Sequence, residues 1–339
     1  MKYPKFIKKN GCISVPAPSA GAGVISEQNQ INSAKKTFEK LGYKVLLSEN
    51  IFKNEKGRSA TAVKRAEEIN SMYQDETIDM LICAAGGDFL IEILPYVDFN
   101  LVENNLKWIA GFSDPTGLLY TITSKYDIAT IYGQNFGSFG MVPLHQSQQD
   151  FLEIIQGNLL EEKSYSFYEK TYSEKVTGLE GYNLTEPVYW KTLDNKSVNV
   201  EGRIIGGCFD VISELAGTKY DGIERFNEKY QNDGIIWYFD NCELSKEETI
   251  RVLWKMNELE YFKYTKCVIF GRFGVDSTYY DYDTKSCLED SILGDLNIPV
   301  IYDADISHRA PTLTIINGSI VNVSVSDGKG KISFLLKNE

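Results

Sequence analysis

The chain has 339 residues, of which 43% are apolar and 24% charged, and its formal net charge is −12. That length favours two domains over a single core. The acidic balance excludes the basic footprint that nucleic acids and anionic membranes select, and no run reaches the roughly 18 to 20 apolar residues of a membrane span.

Six cysteines are scattered without a C-x-x-C pair, several of them inside apolar runs such as "KCVIFG". They read as buried reduced thiols in a cytoplasmic protein. "CISV" (12–15) reads as a buried strand leading into the loop "PAPSAGAG". Ser26 is the expected N-cap of a helix whose Ile31, Ala34, Phe38 and Leu41 share one face and which Gly42 closes. "YKVLLS" is the next strand, 59–74 a helix and "IDMLICAA" a strand. After the pair Gly86-Gly87 a helix is expected to about 96, then the strand "KWIAGF", the loop "SDPTG", a helix and the strand "IATIYG". Repeated βα units with apolar strands predict a doubly wound parallel sheet, with ligands beyond the carboxyl ends of its strands. Both "GGDFL" and "SDPTG" fall there.

From about 158 the pattern alternates ("SYSFYEKTYSEKV", "EPVYWKTL", "KSVNVEGRIIGG"), which predicts antiparallel strands. The expected organisation is an N-terminal domain over 1–157, a crossover over 158–200 and a C-terminal α/β domain rich in strands over 201–339. The last contains "GIIWYF", a helix opened by Ser245-x-x-Glu248, "CVIFGRF" and "IPVIYDADISH". It closes on a hairpin "LTIINGSIVNVSV" turning at Asn317-Gly318.

The Gly86-Gly87 turn carries neither a dinucleotide nor a phosphate-loop fingerprint, but the amides that follow it could hold an oxyanion. Only two histidines are present, His145 and His308. His308, in a loop after a strand, is the scarcer kind of candidate for proton transfer. Asp303 and Asp305 lack a matching histidine cluster, so neither a metal nor another cofactor is expected.

These segments resemble the LD-carboxypeptidase family, muramoyl-tetrapeptide carboxypeptidases and microcin C immunity proteins among them. "GGDFLIEILPYVD" (86–98) is similar to its G-G-x-x-S-x-x-L-L-P-Y-L-D, and "WIAGFSDPTGL" (108–118) to its I-G-Y-S-D-x-T-x-L. "EGRIIGGCFDVISELAGTKY" (201–220) resembles its G-x-x-I-G-G-N-L segment, and "IPVIYDADISHRAP" (298–311) its histidine segment. The resemblance implies a flavodoxin-like N-terminal domain, a smaller strand-rich domain, a cleft between them and a homodimer. It also implies a metal-free Ser–His–Glu triad acting on L,D-amide bonds of peptidoglycan peptides.

Anchored on L-P-Y-x-D, the family serine falls on Leu90, which has no nucleophilic atom; the histidine falls on His308 and the acid on Asp240 or Phe239. With Leu90 in the serine's place, only binding and oxyanion stabilisation would remain, roughly 10³- to 10⁴-fold over water. Three readings follow. In the first, a peptidase acts by another route: Asp88, Glu92 and Ser113 lie near the cleft, a carboxylate with His308 activates water for direct hydrolysis, and Ser113 is a buttress or, with Asp114, a substrate contact beside Gly86 and Gly87. In the second, a non-catalytic protein binds a peptide, muropeptide or peptidyl-nucleotide through Gly86, Gly87, the Ser113–Thr116 loop and Trp190. In the third, a nucleotide-binding α/β protein uses the Gly-Gly turn for phosphate.

Overall fold

A computed structural model describes residues 1–171 and 175–336. Part of the segment "SYSFYEKTYSEKV", residues 172–174, therefore lies outside the described residues. Among those described, no helix is long and apolar enough to cross a membrane.

The N-terminal half folds as repeated βα units. Strands β1 (Cys12–Val15), β2 (Lys44–Leu47), β3 (Met80–Ile82), β4 (Trp108–Gly111) and β5 (Thr130–Tyr132) form a parallel sheet in the order β2-β1-β3-β4-β5. Helices α1 (Ile25–Lys40), α2 (Ala62–Gln74), α3 (Phe99–Asn104), α4 (Thr116–Tyr126) and α5 (Gln146–Ile155) connect and cover it. The order reverses between β1 and β3, the crevice where doubly wound sheets bind ligands. Helix α1 begins at Ile25, one residue before the expected cap; the Val24 amide donates to the Glu27 carboxylate at 3.2 Å.

After the two glycines comes a 3₁₀ helix, Leu90–Tyr96, in place of the expected α-helix. Pro95 lies inside it and has no N–H to give an α-helical bond. The Leu90 amide is drawn instead to the Asp114 carboxylate at 2.9 Å.

Strands β6 (Glu161–Lys163), β7 (Phe167–Tyr168), β8 (Glu186–Pro187) and β9 (Lys191–Thr192) occupy the crossover. Then follow β10 (Val198–Cys208), β11 (Ile235–Asp240), β12 (Thr265–Gly271), β13 (Val300–Ala304), β14 (Ile315–Asn317), β15 (Ile320–Ser326) and β16 (Lys329–Leu335). The second sheet runs β6-β16-β15-β10-β11-β12-β13-β9, parallel across its centre from β10 to β13 and antiparallel at both flanks. The crossover thus supplies both edge strands of the second sheet.

The hairpin expected at Asn317-Gly318 is not formed. Strand β14 pairs antiparallel with β5 in the first sheet, whereas β15 pairs with β10 and β16 in the second. Gly318, at φ +82°, turns the chain from one sheet to the other. Helix α4 is buried from Thr116 through Ser124 and packs against β10, so the seam between the sheets is closed to bulk solvent there. The capping box at Ser245 forms as expected, with Glu248 N donating to Ser245 Oγ at 3.2 Å and Ser245 N to Glu248 Oε2 at 2.9 Å.

Candidate active site

Three strand ends converge at the seam. Strand β4 runs out at Gly111 and the chain turns sharply through Ser113, whose φ of +69° is unusual for a residue with a side chain. Helix α4 begins three residues later, so the Ser113 hydroxyl stands on a strained strand-to-helix turn. Strand β11 ends on Asp240, and the loop after β13 carries His308.

The side chains form a continuous chain. His308 Nε2 lies 2.9 Å from Ser113 Oγ, and His308 Nδ1 lies 2.9 Å from Asp240 Oδ1. The His308 backbone amide donates to the same Asp240 oxygen at 3.1 Å, and the Tyr132 hydroxyl donates to the other, Oδ2, at 2.7 Å. Asp240 is fully buried, so it can accept little else; in the neutral imidazole this places the proton on Nδ1, in the His308–Asp240 bond, and leaves Nε2 to accept from Ser113. The Phe112 ring packs on the imidazole with centroids 4.6 Å apart. Burial pushes the pKa of His308 down, but the charge and hydrogen bond of Asp240, with a contact from the Cys242 thiol, outweigh it and hold it well above the usual imidazole value.

A cavity of about 120 Å³ opens in front of Ser113, with Gly87, Cys208, Asp210, Glu214 and Cys242 among its walls. Gly86 is packed so closely that a Cβ there would come within 3.1 Å of Ser113 Cβ, and Gly87 has φ +147°. No acceptor among the described residues takes the amides of Gly87 or Asp114. Both are thus free to meet charge beside the serine. A larger cavity of about 540 Å³, walled by His145, Glu162 and Tyr165, shares no lining residue with this one.

Leu90, on which the motif register places the family serine, does not face His308. Its side chain is fully buried and packs so tightly on α4 that a Cβ on Gly117 would fall 2.7 Å from Leu90 Cδ2. The hydroxyl facing His308 is that of Ser113. Phe239, the alternative for the acid position, stacks its ring on Trp237 at 5.3 Å, on the opposite strand face from Asp240.

Glu92 is held by Arg58 at 2.6 Å and Arg65 at 2.7 Å and does not reach the histidine. The Asp114 side chain turns inward to Ser19 and the Leu90 amide, leaving only its backbone to the cavity. Asp88 is exposed on the cavity rim. Trp190, expected as a cleft aromatic, is buried, and its indole donates to Asp305 at 2.9 Å. Among the described residues no group of His, Cys, Asp or Glu could hold a metal ion, and the six cysteines are unpaired.

The sequence does not single out Tyr132 or Cys242; nothing in "IATIYG" or "FDNCE" marks them until the sheets are juxtaposed. Ser113 does carry a signal, a hydroxyl at the end of an apolar strand and just before a helix.

Residues 13–133 match the LD-carboxypeptidase N-terminal domain and residues 201–323 the LD-carboxypeptidase C-terminal domain. The chain belongs to the LD-carboxypeptidase family. Among relatives, the microcin C7 self-immunity protein MccF of Escherichia coli is 25% identical, over 88% of this chain and 86% of its own. Two solved structures share the fold of this LD-carboxypeptidase family member. The MccF-like protein of Bacillus anthracis has a TM-score of 0.85 at 22% identity, covering 99% of this chain and 100% of its own. The muramoyltetrapeptide carboxypeptidase of Oxalobacter formigenes has a TM-score of 0.75 at 17% identity, covering 97% and 100%. A further structure of MccF is a complex with aspartyl sulfamoyl adenosine.

Proposed function

We propose that the chain is a serine-type LD-carboxypeptidase in which Ser113 is the nucleophile, His308 the general base and acid, and Asp240 the group that orients and charge-balances the imidazole. The observation that carries this reading is the unbroken Ser113–His308–Asp240 chain, 2.9 Å at each link.

Ser113 Oγ attacks the carbonyl carbon of the L,D-amide while its proton passes to His308 Nε2. The carbonyl oxygen becomes an oxyanion that the Gly87 and Asp114 amides can receive. The tetrahedral intermediate then breaks the C–N bond; His308 gives its proton to the departing amine, and an ester to Ser113 remains. Water, deprotonated by His308, attacks that ester; the C–O bond breaks and Ser113 recovers its proton. Asp240 stays ionised throughout and keeps the imidazole in the required tautomer.

Within the family, peptidoglycan-type peptides and aminoacyl nucleotides are the two substrate classes to separate. Asp88, Asp210, Glu214 and Glu243 line the cavity and no Lys or Arg does. Such a rim favours an acyl residue that carries an amine, as the diamino acid of a peptidoglycan stem peptide does, over an aspartyl or glutamyl conjugate. The test is release of D-alanine from a muramoyl tetrapeptide, run beside hydrolysis of an aspartyl adenylate analogue. Hydrolysis of the tetrapeptide that is lost in Ser113→Ala supports the reading. Binding without turnover of either compound would make the chain a non-catalytic binder.

A further inference from the structure

The Asp240 carboxylate is fully buried, and one of its donors comes from the other sheet. Tyr132 closes β5 of the first sheet, whereas Asp240 closes β11 of the second. The phenol is fully buried and donates to Asp240 Oδ2 at 2.7 Å. Its oxygen in turn accepts, at a long 3.4 Å, from the backbone amide of Ser113. The ring is fixed by Phe112 at 5.2 Å and Tyr238 at 5.7 Å, so the hydroxyl has little freedom to leave either partner.

We infer that Tyr132 is a positioning residue of the site, its hydroxyl clamping the second oxygen of Asp240 to the turn that carries Ser113. This inference rests on the proposed roles of Ser113, His308 and Asp240. The hydroxyl holds the two ends of the triad at one spacing, although they belong to different sheets. It also competes with His308 for the charge of Asp240. A carboxylate relieved by a phenol attracts the imidazolium proton less, so Tyr132 limits how far Asp240 can raise the proton affinity of His308.

A bystander tyrosine that merely satisfied its own hydroxyl would leave that affinity untouched. The groups that bear on the assembly are few. Asp240 and Cys242 act on His308, and Ser113 bonds to it. Asp240, Cys208 and Tyr238 act on Tyr132. The neighbouring Arg309 is turned away to Asp276 at 2.8 Å.

The sign of the effect follows from which charge state depends on the phenol. With His308 neutral, Asp240 carries an uncompensated charge and relies on Tyr132. With His308 protonated, the imidazolium compensates that charge and the phenol matters less. Removing the hydroxyl therefore destabilises the neutral-imidazole state more, and the titration of His308 moves up.

The experiment is an NMR titration of the His308 ring nitrogens in the full chain. Only two histidines contribute signals, and His145→Gln assigns them. Three proteins are compared: the unmodified chain, Tyr132→Phe, and a chain with 3-fluorotyrosine placed at 132, whose more acidic hydroxyl is a stronger donor. The expected result is an upward shift of about one pH unit in Tyr132→Phe, the scale of a hydrogen bond to a charged group, and a smaller downward shift with fluorotyrosine. In a peptidase assay, the acid limb of kcat/KM moves in the same directions. Coincident titrations in all three proteins overturn the inference. The NMR measurement needs no turnover, so an inactive unmodified chain would refute the peptidase reading and still leave the role of Tyr132 to be decided by the titrations. If Tyr132→Phe does not fold, the fluorotyrosine protein decides alone, because it preserves the shape of the ring.

Discussion

His308 Nε2 meets Ser113 Oγ at 2.9 Å although the two residues are 195 positions apart and rise from different sheets. That pairing relocates the centre of the site from the Gly-Gly turn, where the sequence motif places it, to the turn after β4. Gly86 remains beside it as the wall against which Ser113 rests, and Gly87 lines the cavity in front. The two turns are neighbours because β3 and β4 are paired strands and both open at the same end of the sheet.

Leu90 packs in the core, and under the proposed mechanism it has no chemical role. Leu90→Ala should lower stability by about 2–5 kcal/mol, the usual range for emptying a fully buried leucine site. Leu90→Ser should also destabilise and should bring no gain in peptidase activity. Denaturant unfolding monitored alongside turnover checks both; increased activity in Leu90→Ser would mean the pocket reaches further than the 3₁₀ helix allows.

Asp240→Asn should fold, since its amide oxygen can still accept from His308 and its amide nitrogen can donate to the Tyr132 oxygen with the ring in place. Turnover should fall by roughly 10⁴-fold, because an amide neither charge-balances the imidazolium nor enforces the tautomer. Substrate affinity, measured by calorimetry on the variant, should change little. A loss confined to affinity would place Asp240 in substrate binding.

The pH dependence has a definite sign. Burial alone would lower the pKa of His308, but Asp240 and Cys242 raise it well above the ordinary imidazole value, and the base must be neutral to act. Activity should therefore rise with pH along a limb lying on the alkaline side of the ordinary imidazole pKa of about 6.5. A kcat/KM profile already flat by pH 7 would contradict this.

Glu162 offers a stability test at a group outside the triad. It is 1% exposed, and its Oε1 accepts from the Thr314 amide at 2.8 Å. Burial, the largest cause, pushes its carboxyl well above the usual range despite that hydrogen bond. The folded chain thus holds a proton that the unfolded chain releases, and stability falls as pH rises from the unfolded carboxylate pKa towards the folded one. Glu162→Gln keeps the acceptor and removes the titration. Its melting temperature should exceed the parent's at pH 8 by about 2 °C or more, with a smaller difference at pH 5. Equal differences at both values would show that Glu162 does not titrate in that range.

Much of this is legible in the sequence, and the omissions have physical causes. The βα units of the first sheet follow from short apolar strands broken by turn residues, and His308 follows from scarcity and its place after a strand. The sequence narrows the acid to two adjacent residues; only the strand's alternation, which turns Phe239 into the aromatic core, separates them. The motif points to Leu90 because L-P-Y-x-D fixes the register of a packing helix, whereas the proposed triad depends on a φ of +69° at Ser113 that no residue type announces. Asn317-Gly318 misleads for a related reason. It is a sound turn locally, but the strands on either side find their partners in different sheets. Tyr132 is invisible in the sequence, since its role exists only across the seam between the sheets.

The most direct measurement is the rate of D-alanine release from a muramoyl tetrapeptide by the unmodified chain, Ser113→Ala and Leu90→Ser, each shown to be folded. With Ser113 as the nucleophile, the unmodified chain turns over, Ser113→Ala loses roughly 10³-fold or more, and Leu90→Ser gains nothing. Near-normal turnover in Ser113→Ala would contradict that role and return the search for the reactive group to other residues around His308.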